Sequence, residues 1–317
     1  MKINQGLSHL TQLVLITFIL QSCRAPLTFE TYDNSIDYHG LTAINEFDGY
    51  LWSVGGYKFT PPYGTKVWRS RDGVAWSEHS NLPEERVAAN LEVFNGYMWL
   101  IGGFEQYDIV FSSEIYKSRD GTNWEAVALP GSSAHVTNSY VFNHQIYLVV
   151  RATSSPELHL YRSGDGSTWQ RVRGTFPIRN LNRVVEFNNK LYAFTNGKLN
   201  RDGTVGRDNE IWSSLNGTDW AERPLPSVYI SPRSYYSVAV YRRKIWIVGG
   251  WDGWFERYND IWSFNELEGW KRYTPRSRPP FSALTWHSAI AYNHKLWLFH
   301  GYGEEGLPTN LNFNLEN

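Results

Sequence analysis

The chain has 317 residues, of which 16% are aromatic, with 15 Trp and 20 Tyr, while only 19% are charged. That mixture favours pleated sheets, whose faces pack flat rings, and the length admits one large all-β domain or two ordinary ones. A net charge of −1 supplies no global field for recruiting nucleic acid, which argues against a nucleic-acid partner.

The N-terminus reads MKINQGLSHLTQLVLITFILQSC. Lys2 precedes an apolar run, residues 13–20, that is too short to cross a bilayer as a helix. It fits the apolar region of a secretory signal. Leu20-Gln21-Ser22-Cys23 resembles the lipobox of bacterial lipoproteins. The resemblance implies a signal peptide over residues 1–22, lipid attachment at the Cys23 thiol, and a product held at the cell envelope on the extracytoplasmic side. The other reading is an ordinary signal peptide with an incidental cysteine. Cys23 is the single cysteine, so residues 23–317 have no internal disulfide and depend on packing.

Downstream, two elements alternate. The first comprises EFDGYLWSVGG (46–56), VFNGYMWLIGG (93–103), VFNHQIYLVVR (141–151), EFNNKLYAFTN (186–196), VYRRKIWIVGG (240–250) and AYNHKLWLFHG (291–301). In each, an aromatic residue and two turn residues precede an alternating apolar run. Asp48-Gly49 and Asn95-Gly96 are strong hairpin signals because both turn positions need φ > 0. Arg242-Arg243 departs from that chemistry. The second element comprises WRSRDGVAW, YKSRDGTNW, YRSGDGSTW, WSSLNGTDW and WSFNELEGW, ending at Trp76, Trp124, Trp169, Trp220 and Trp270. Their spacing of about 50 residues marks a repeat architecture. Each repeat reads as four short strands A–D; in the second they cover about 90–94, 97–102, 115–118 and the stretch from Trp124. The closing Trp is expected between neighbouring units, where burying about 200 Å² contributes on the order of 5 kcal/mol.

The double glycines after strand B and the following KVW, EIY and DIW segments resemble kelch and galactose-oxidase-like repeats. The resemblance, which covers residues 26–317, implies an all-β, six-bladed β-propeller of kelch type. The sixth repeat lacks a D strand at the C-terminus. The interval from Phe29 to His39 equals that from Trp76 to Arg86, so residues 27–32 are expected to complete the last blade from the N-terminus.

In such a meander the A–B and C–D turns share one face, and the longer B–C and D–A connections share the other. The long-loop face is where ligands are expected, and its loops are rich in aromatics. At a constant distance ahead of the strand-B aromatic stand His39, Arg86, Ala134, Arg179, Arg233 and Leu284, with Arg183 and His287 a little further on. Converging guanidinium groups suit a carboxylate or phosphate, and in kelch domains of ubiquitin-ligase adaptors arginines near this position line the ligand face. The alternative is that these arginines bond loop carbonyls and fix the start of each unit.

Two function classes follow. One is a module binding a protein or glycan at the long-loop face. The other is a carbohydrate-active enzyme resembling the bacterial sialic-acid mutarotase, with Glu85, Glu105, Glu210 or Glu256 as candidate acid–base groups. Copper chemistry of the galactose-oxidase kind needs a Tyr–Cys crosslink that Cys23 cannot supply. The Asp-box-like turns are shorter between Asp and Gly than those of sialidases and carry no catalytic information. The nine histidines show no zinc-site spacing, so no metal or cofactor is expected. Asn216-Gly217-Thr218 reads as turn chemistry rather than a glycosylation site.

Overall fold

The computed structural model describes residues 28–33, 36, 40–108, 110–112, 114–129, 134–152, 156–224, 230–273, 283–303 and 311–316. Among these lie six four-stranded antiparallel sheets and one two-stranded ribbon. Sheet one contains Ala43–Phe47, Tyr50–Val54, Lys66–Ser70 and Trp76–Asn81. Sheet two contains Asn90–Phe94, Tyr97–Ile101, Glu114–Ser118 and Glu125–Ala128. Sheet three contains Ala134–Phe142, Gln145–Ala152, Leu158–Ser163 and the short Gln170–Arg171. Sheet four contains Leu181–Phe187, Lys190–Thr195, Ile211–Ser214 and Ala221–Arg223. Its B–C connection carries the ribbon of Lys198–Leu199 and Val205–Arg207. Sheet five contains Ser237–Tyr241, Lys244–Val248, Ile261–Asn265 and Gly269–Tyr273. Sheet six contains Ser288–Tyr292, Lys295–Phe299, Leu311–Glu316 and, as its outer strand, Thr28–Asp33.

The N-terminal strand pairs antiparallel with Leu311–Glu316, from Thr28 opposite Glu316 to Asp33 opposite Leu311. The first strand of each sheet touches the first strand of the next, and that of sheet six touches that of sheet one. The result is an all-β propeller arrangement around a central channel.

The hairpin turns form as their sequences require. Asp48 and Asn95 take φ of 50° and 49°. Arg242 and Arg243 take the same left-handed pair, 45° and 58°, because the flanking strands on both sides hold the turn closed. Tertiary packing overrides local preference there.

The hydrophobic core is divided among the interfaces between consecutive sheets. Sheets one and two share Trp52, Val67, Leu91, Met98 and Leu100, for example, and sheets six and one share Ile44, Leu51, Trp76, Trp297 and Phe299. Three of the interfaces use the recurring Ser-x-Asp-Gly-x-x-Trp segment of sheets one, two and three, and sheet four has Asn in place of the Asp. In sheet two the Gly121 N–H donates to Ser118 Oγ (2.9 Å), and the Thr122 and Asn123 N–H groups donate to Asp120 Oδ1 (2.8 Å each). These bonds, those from Asn123 first, hold the Asp120 carboxyl well below its usual range. Trp124 Nε1 then donates to Gly121 O (3.0 Å), folding the indole back over its own turn.

The expected position of that Trp is refined by the structure. Trp76 is buried, and Trp124, Trp169, Trp220 and Trp270 are half-buried. The deepest rings are instead the strand-B tryptophans Trp52, Trp99, Trp246 and Trp297, each 1–3% exposed. Their Nε1 groups donate to the carbonyl just before the A–B turn: Phe47, Phe94, Tyr241 and Tyr292, all at 3.0 Å. The glycine of one sheet's C–D turn lies flat on the strand-B ring of the preceding sheet. A Cβ on Gly121 would stand 2.2 Å from Trp52 Cζ3. Gly166 meets Trp99 and Gly73 meets Trp297 in the same way. In sheet five, where the turn reads Glu-Leu-Glu-Gly, Glu266 accepts a hydrogen bond from the Tyr192 hydroxyl instead (2.9 Å).

Candidate functional site

The channel wall consists of the six first strands, and small polar side chains stitch them together. Asn45 Nδ2 donates to Leu91 O (2.8 Å), linking sheets one and two, and Ser139 Oγ donates to Glu92 Oε1 (3.0 Å), linking three and two. Asn138 Nδ2 reaches Asn182 O (3.2 Å), and Asn182 Nδ2 reaches Tyr236 O (2.9 Å). Ser237 Oγ donates to His287 O (2.6 Å), and Ser288 Oγ donates to Thr42 O (2.9 Å). These bonds form a complete circuit through all six sheets. Five of the six bonds end on a backbone carbonyl of the neighbouring sheet, and the Ser139 bond ends on the Glu92 carboxylate.

Above this girdle, at the long-loop end, Leu41, Ala88, Tyr235 and Trp286 take positive φ of 54°, 56°, 56° and 64°. That region is unfavourable for bulky non-glycine residues. The compensation is an arc of backbone bonds across four of the sheets. Ala88 N–H donates to Leu41 O (2.9 Å), Leu41 N–H to Trp286 O (2.8 Å) and Trp286 N–H to Tyr235 O (3.2 Å). The left-handed turn swings each amide toward the neighbouring sheet.

Two cavities lie along the axis. The mouth cavity, about 230 Å³, is lined by Thr42, Asn138, Asn182, Tyr235, Trp286 and His287, among others. The deeper one, about 130 Å³, is lined also by Arg183 and by the strand stretches around Ile44, Leu91 and Val238, which belong to the core clusters between sheets. Arg183 is half-buried and faces the Glu92 carboxylate electrostatically. Burial raises the Glu92 pKa, with Arg183 and Ser139 opposing that rise. Burial also lowers the His287 pKa to about 4, with the Val248 carbonyl weakly opposing, so the imidazole is neutral at pH 7. Around the mouth, Trp286 packs against Tyr302 (5.3 Å between centroids), Tyr57 (5.7 Å) and Tyr235 (6.2 Å). Phe59, Tyr107, Phe111, Trp254 and Phe255 project from the same face with 46–68% of their surface exposed.

Repeated four-stranded sheets around a polar channel agree with the comparison to known families. A family model described as the DUF6242 beta propeller domain matches residues 46–310. The chain belongs to that family. No curated protein matches it.

Within this DUF6242 propeller the residues expected to form an anion pocket are dispersed. Arg233 is buried, and its guanidinium is saturated. It donates to Asp260 Oδ1 (2.5 Å) and Oδ2 (3.1 Å), to Gly249 O (3.1 Å) and to Ser231 O (3.0 Å), while lying 3.8 Å over the Tyr258 ring. Trp262 Nε1 donates to the same Asp260 carboxylate (2.8 Å). Arg86 is equally buried, paired with Glu84 and donating to Glu114 O (3.3 Å) over Tyr116. The shared register is a junction between sheets. Gly56, Gly197 and Gly250 N–H donate to the carbonyls of Arg86, Arg233 and Leu284 (2.7–2.8 Å). A Cβ on Gly249 would stand 2.5 Å from Leu284 O, which accounts for a glycine there. Arg179 is exposed. Arg183 and His287 do meet, both lining the deeper cavity. His39 and Cys23 lie outside the described residues. Glu210 accepts from Trp212 Nε1 (2.9 Å) and Glu85 from Gln106 N–H (3.0 Å). Among the described residues no cluster of three or more His, Cys, Asp or Glu is placed to hold a metal ion.

Thr42, Asn138, Asn182, Trp286 and the girdle serines were not singled out by sequence reading. One signal was available. At a constant distance ahead of the strand-B aromatic stand Asn90, Asn138, Arg183, Ser237 and Ser288, with Ala43 in the remaining repeat. A polar residue opening an otherwise apolar strand marks the channel side.

Proposed function

We propose that this protein is a lipid-anchored, extracytoplasmic, six-bladed kelch-type propeller that binds a partner through its long-loop face, and that the partner is a glycan in preference to a protein. The observation that carries the reading is the ring of exposed aromatics around a polar cavity at the channel mouth. Aromatic faces take up the C–H face of a sugar, and amides and hydroxyls take up its edge. A protein partner would be served by a flatter and more continuous apolar patch. The doubled glycines and the outer N-terminal strand support the kelch-type closed ring.

The strand direction also supports an orientation. Thr28 lies opposite Glu316, at the short-turn end of sheet six. Four residues lie between Cys23 and Thr28, so the five steps of chain span at most about 18 Å at roughly 3.6 Å per residue. A lipid on Cys23 therefore holds the short-turn face toward the membrane and presents the long-loop face outward.

Fractionating cells that express the full chain and Cys23→Ser tests the anchor; the variant is expected to leave the membrane fraction. A glycan array probed with the full chain and with a Tyr57→Ala/Trp254→Ala variant tests the binding reading. Glycan signals that weaken in the variant are expected, and a blank array for both proteins would falsify it.

Arg183 and neutral His287 in the same cavity favour one second reading, an enzyme similar to the sialic-acid mutarotase. Anomeric exchange of N-acetylneuraminic acid, followed by NMR, tests it. No acceleration over buffer removes that reading and leaves the binding module.

A further inference from the structure

Five of the six A–B turns open on Asn or Asp, which tolerate the left-handed region. Sheet five instead places Arg242 and Arg243 there, at φ of 45° and 58°. That conformation is unfavourable for bulky side chains, and such strain gathers at functional sites. Both arginines are exposed. They stand at the short-turn end, where the turns of sheets five and six meet sheet one. A cavity of about 560 Å³ lies there, lined by Glu46, Tyr241, Arg242, Tyr292 and His294, among others. Its walls are braced. The Tyr241 hydroxyl donates to His294 O, and the Tyr292 hydroxyl is shared between Gly49 O (3.1 Å) and Arg71 O (2.7 Å), which ties the three sheets together around the cavity.

We infer that this cavity receives the phosphoethanolamine headgroup of a membrane lipid, its phosphate against Arg242 and its ammonium against Glu46. The inference deepens the lipid-anchored reading and rests on it for the source of the ligand. Charge chooses the headgroup. A guanidinium donates a planar pair of hydrogen bonds to phosphate oxygens. Arg242 Cζ lies 5.2 Å from the centre of the Tyr241 ring, which keeps the guanidinium at the cavity rim. Arg243 adds a second positive charge in the same turn. Glu46, exposed on the sheet-one side, supplies the acceptor that an ammonium needs. A phosphoglycerol headgroup would bring no cation to that carboxylate, and the quaternary nitrogen of phosphocholine has no N–H to donate to it.

Position and size agree. Thr28 lies opposite Glu316, at the same end of sheet six as the turn between Tyr292 and Lys295. A lipid on Cys23 therefore turns the cavity toward the bilayer. The volume of about 560 Å³ falls within the roughly 300–1,000 Å³ typical of small-molecule pockets. One headgroup contact orients the propeller on the membrane without retaining it there, so a chain lacking the Cys23 lipid is still released.

Saturation-transfer NMR on the processed, unacylated chain with glycerophosphoethanolamine, glycerophosphocholine and glycerophosphoglycerol tests the site. One variant is Glu46→Gln. The other combines Arg242→Asn with Arg243→Gly, which restores the turn chemistry of Asn95-Gly96. Transfer to glycerophosphoethanolamine is expected to exceed transfer to the other two. Its affinity should be about tenfold weaker or worse in each variant, with a melting temperature no lower than that of the unaltered chain. Equal responses to the three headgroups, a stronger response to glycerophosphoglycerol, or unchanged affinity in either variant overturns the site. Vesicles of phosphatidylcholine and phosphatidylethanolamine in equal parts should displace the soluble headgroup where phosphatidylcholine vesicles do not, and failure to displace it overturns a lipid as the source. The anchor fails separately, if the Cys23→Ser chain stays in the membrane fraction.

Discussion

Two polar regions lie close together at the long-loop end, and they are built on opposite plans. Around Arg233 every strong donor and acceptor is matched: Asp260, Gly249 O, Ser231 O, Tyr258 and Trp262 enclose the guanidinium. At the channel mouth Thr42 Oγ1, Asn138 Oδ1 and Trp286 Nε1 are buried without a hydrogen-bond partner among the described residues. Saturation marks a joint that fixes the entry segment of sheet five on that sheet's own B–C connection. The unmatched groups are sealed inside the mouth, where a buried polar atom without a partner costs about 1–3 kcal/mol.

The sharpest test removes the joint. Arg233→Ala leaves the Asp260 carboxylate buried beside Trp262, and breaking a buried pair from one side costs about 3–5 kcal/mol. Urea unfolding should show that loss, and Arg233→Lys should restore only part of it, because an ammonium cannot reproduce the planar pair of bonds. A variant as stable as the original would mean that the Arg233–Asp260 pair does not anchor the entry to sheet five on its own B–C connection.

Next in size is a pH effect from the mouth. The folded-state pKa of His287 is lowered to about 4 from an ordinary value near 6.5. The unfolded chain therefore binds the proton first as pH falls. Stability from keeping this ring neutral is complete above about pH 6.5 and is lost between there and about pH 4, by on the order of 3 kcal/mol. His287→Phe should flatten that part of the stability curve, and a slope unchanged by the substitution would show that the ring is not buried neutral.

A smaller effect is expected at the outer belt. Gly121→Ala puts a methyl against the Trp52 ring at a φ of +70°, costing about 1–3 kcal/mol from overpacking alone. Thermal melts that do not move would contradict the glycine-on-indole contact between sheets one and two. The smallest effect has the opposite sign. Thr42→Val removes an unpaired hydroxyl and should leave stability unchanged or raise it by a few tenths of a kcal/mol. A clear loss would reveal a protein partner for Oγ1 and restore the mouth to the same class as the joint.

Much of this could be read before any coordinates. The six apolar runs, the turn dipeptides and the Ser-x-Asp-Gly-x-x-Trp segments carry their own local chemistry, so strands and turns follow from nearest-neighbour preferences. The outer strand Thr28–Asp33 was legible from an interval shared with sheet one. The arginine register was legible as a repeat but not as a role. Arg86 and Arg233 precede their first strands while Arg183 lies inside one, and partners such as Asp260 arrive from another strand of the sheet. Division of labour among the tryptophans was hidden for the same reason. Trp124 and Trp52 both lie in repeated segments, and only the packing of adjacent sheets decides which is sealed in and which is half-covered.

By itself the sequence determined the period, the all-β class, the turn chemistry and the way the chain's start completes its last sheet. These rest on contacts within a few residues or on intervals counted along the chain. Only the tertiary structure decided which polar groups join sheets and which are sealed in without a partner. Hydrogen-bond satisfaction depends on atoms brought together from all six sheets, and no single repeat contains that information.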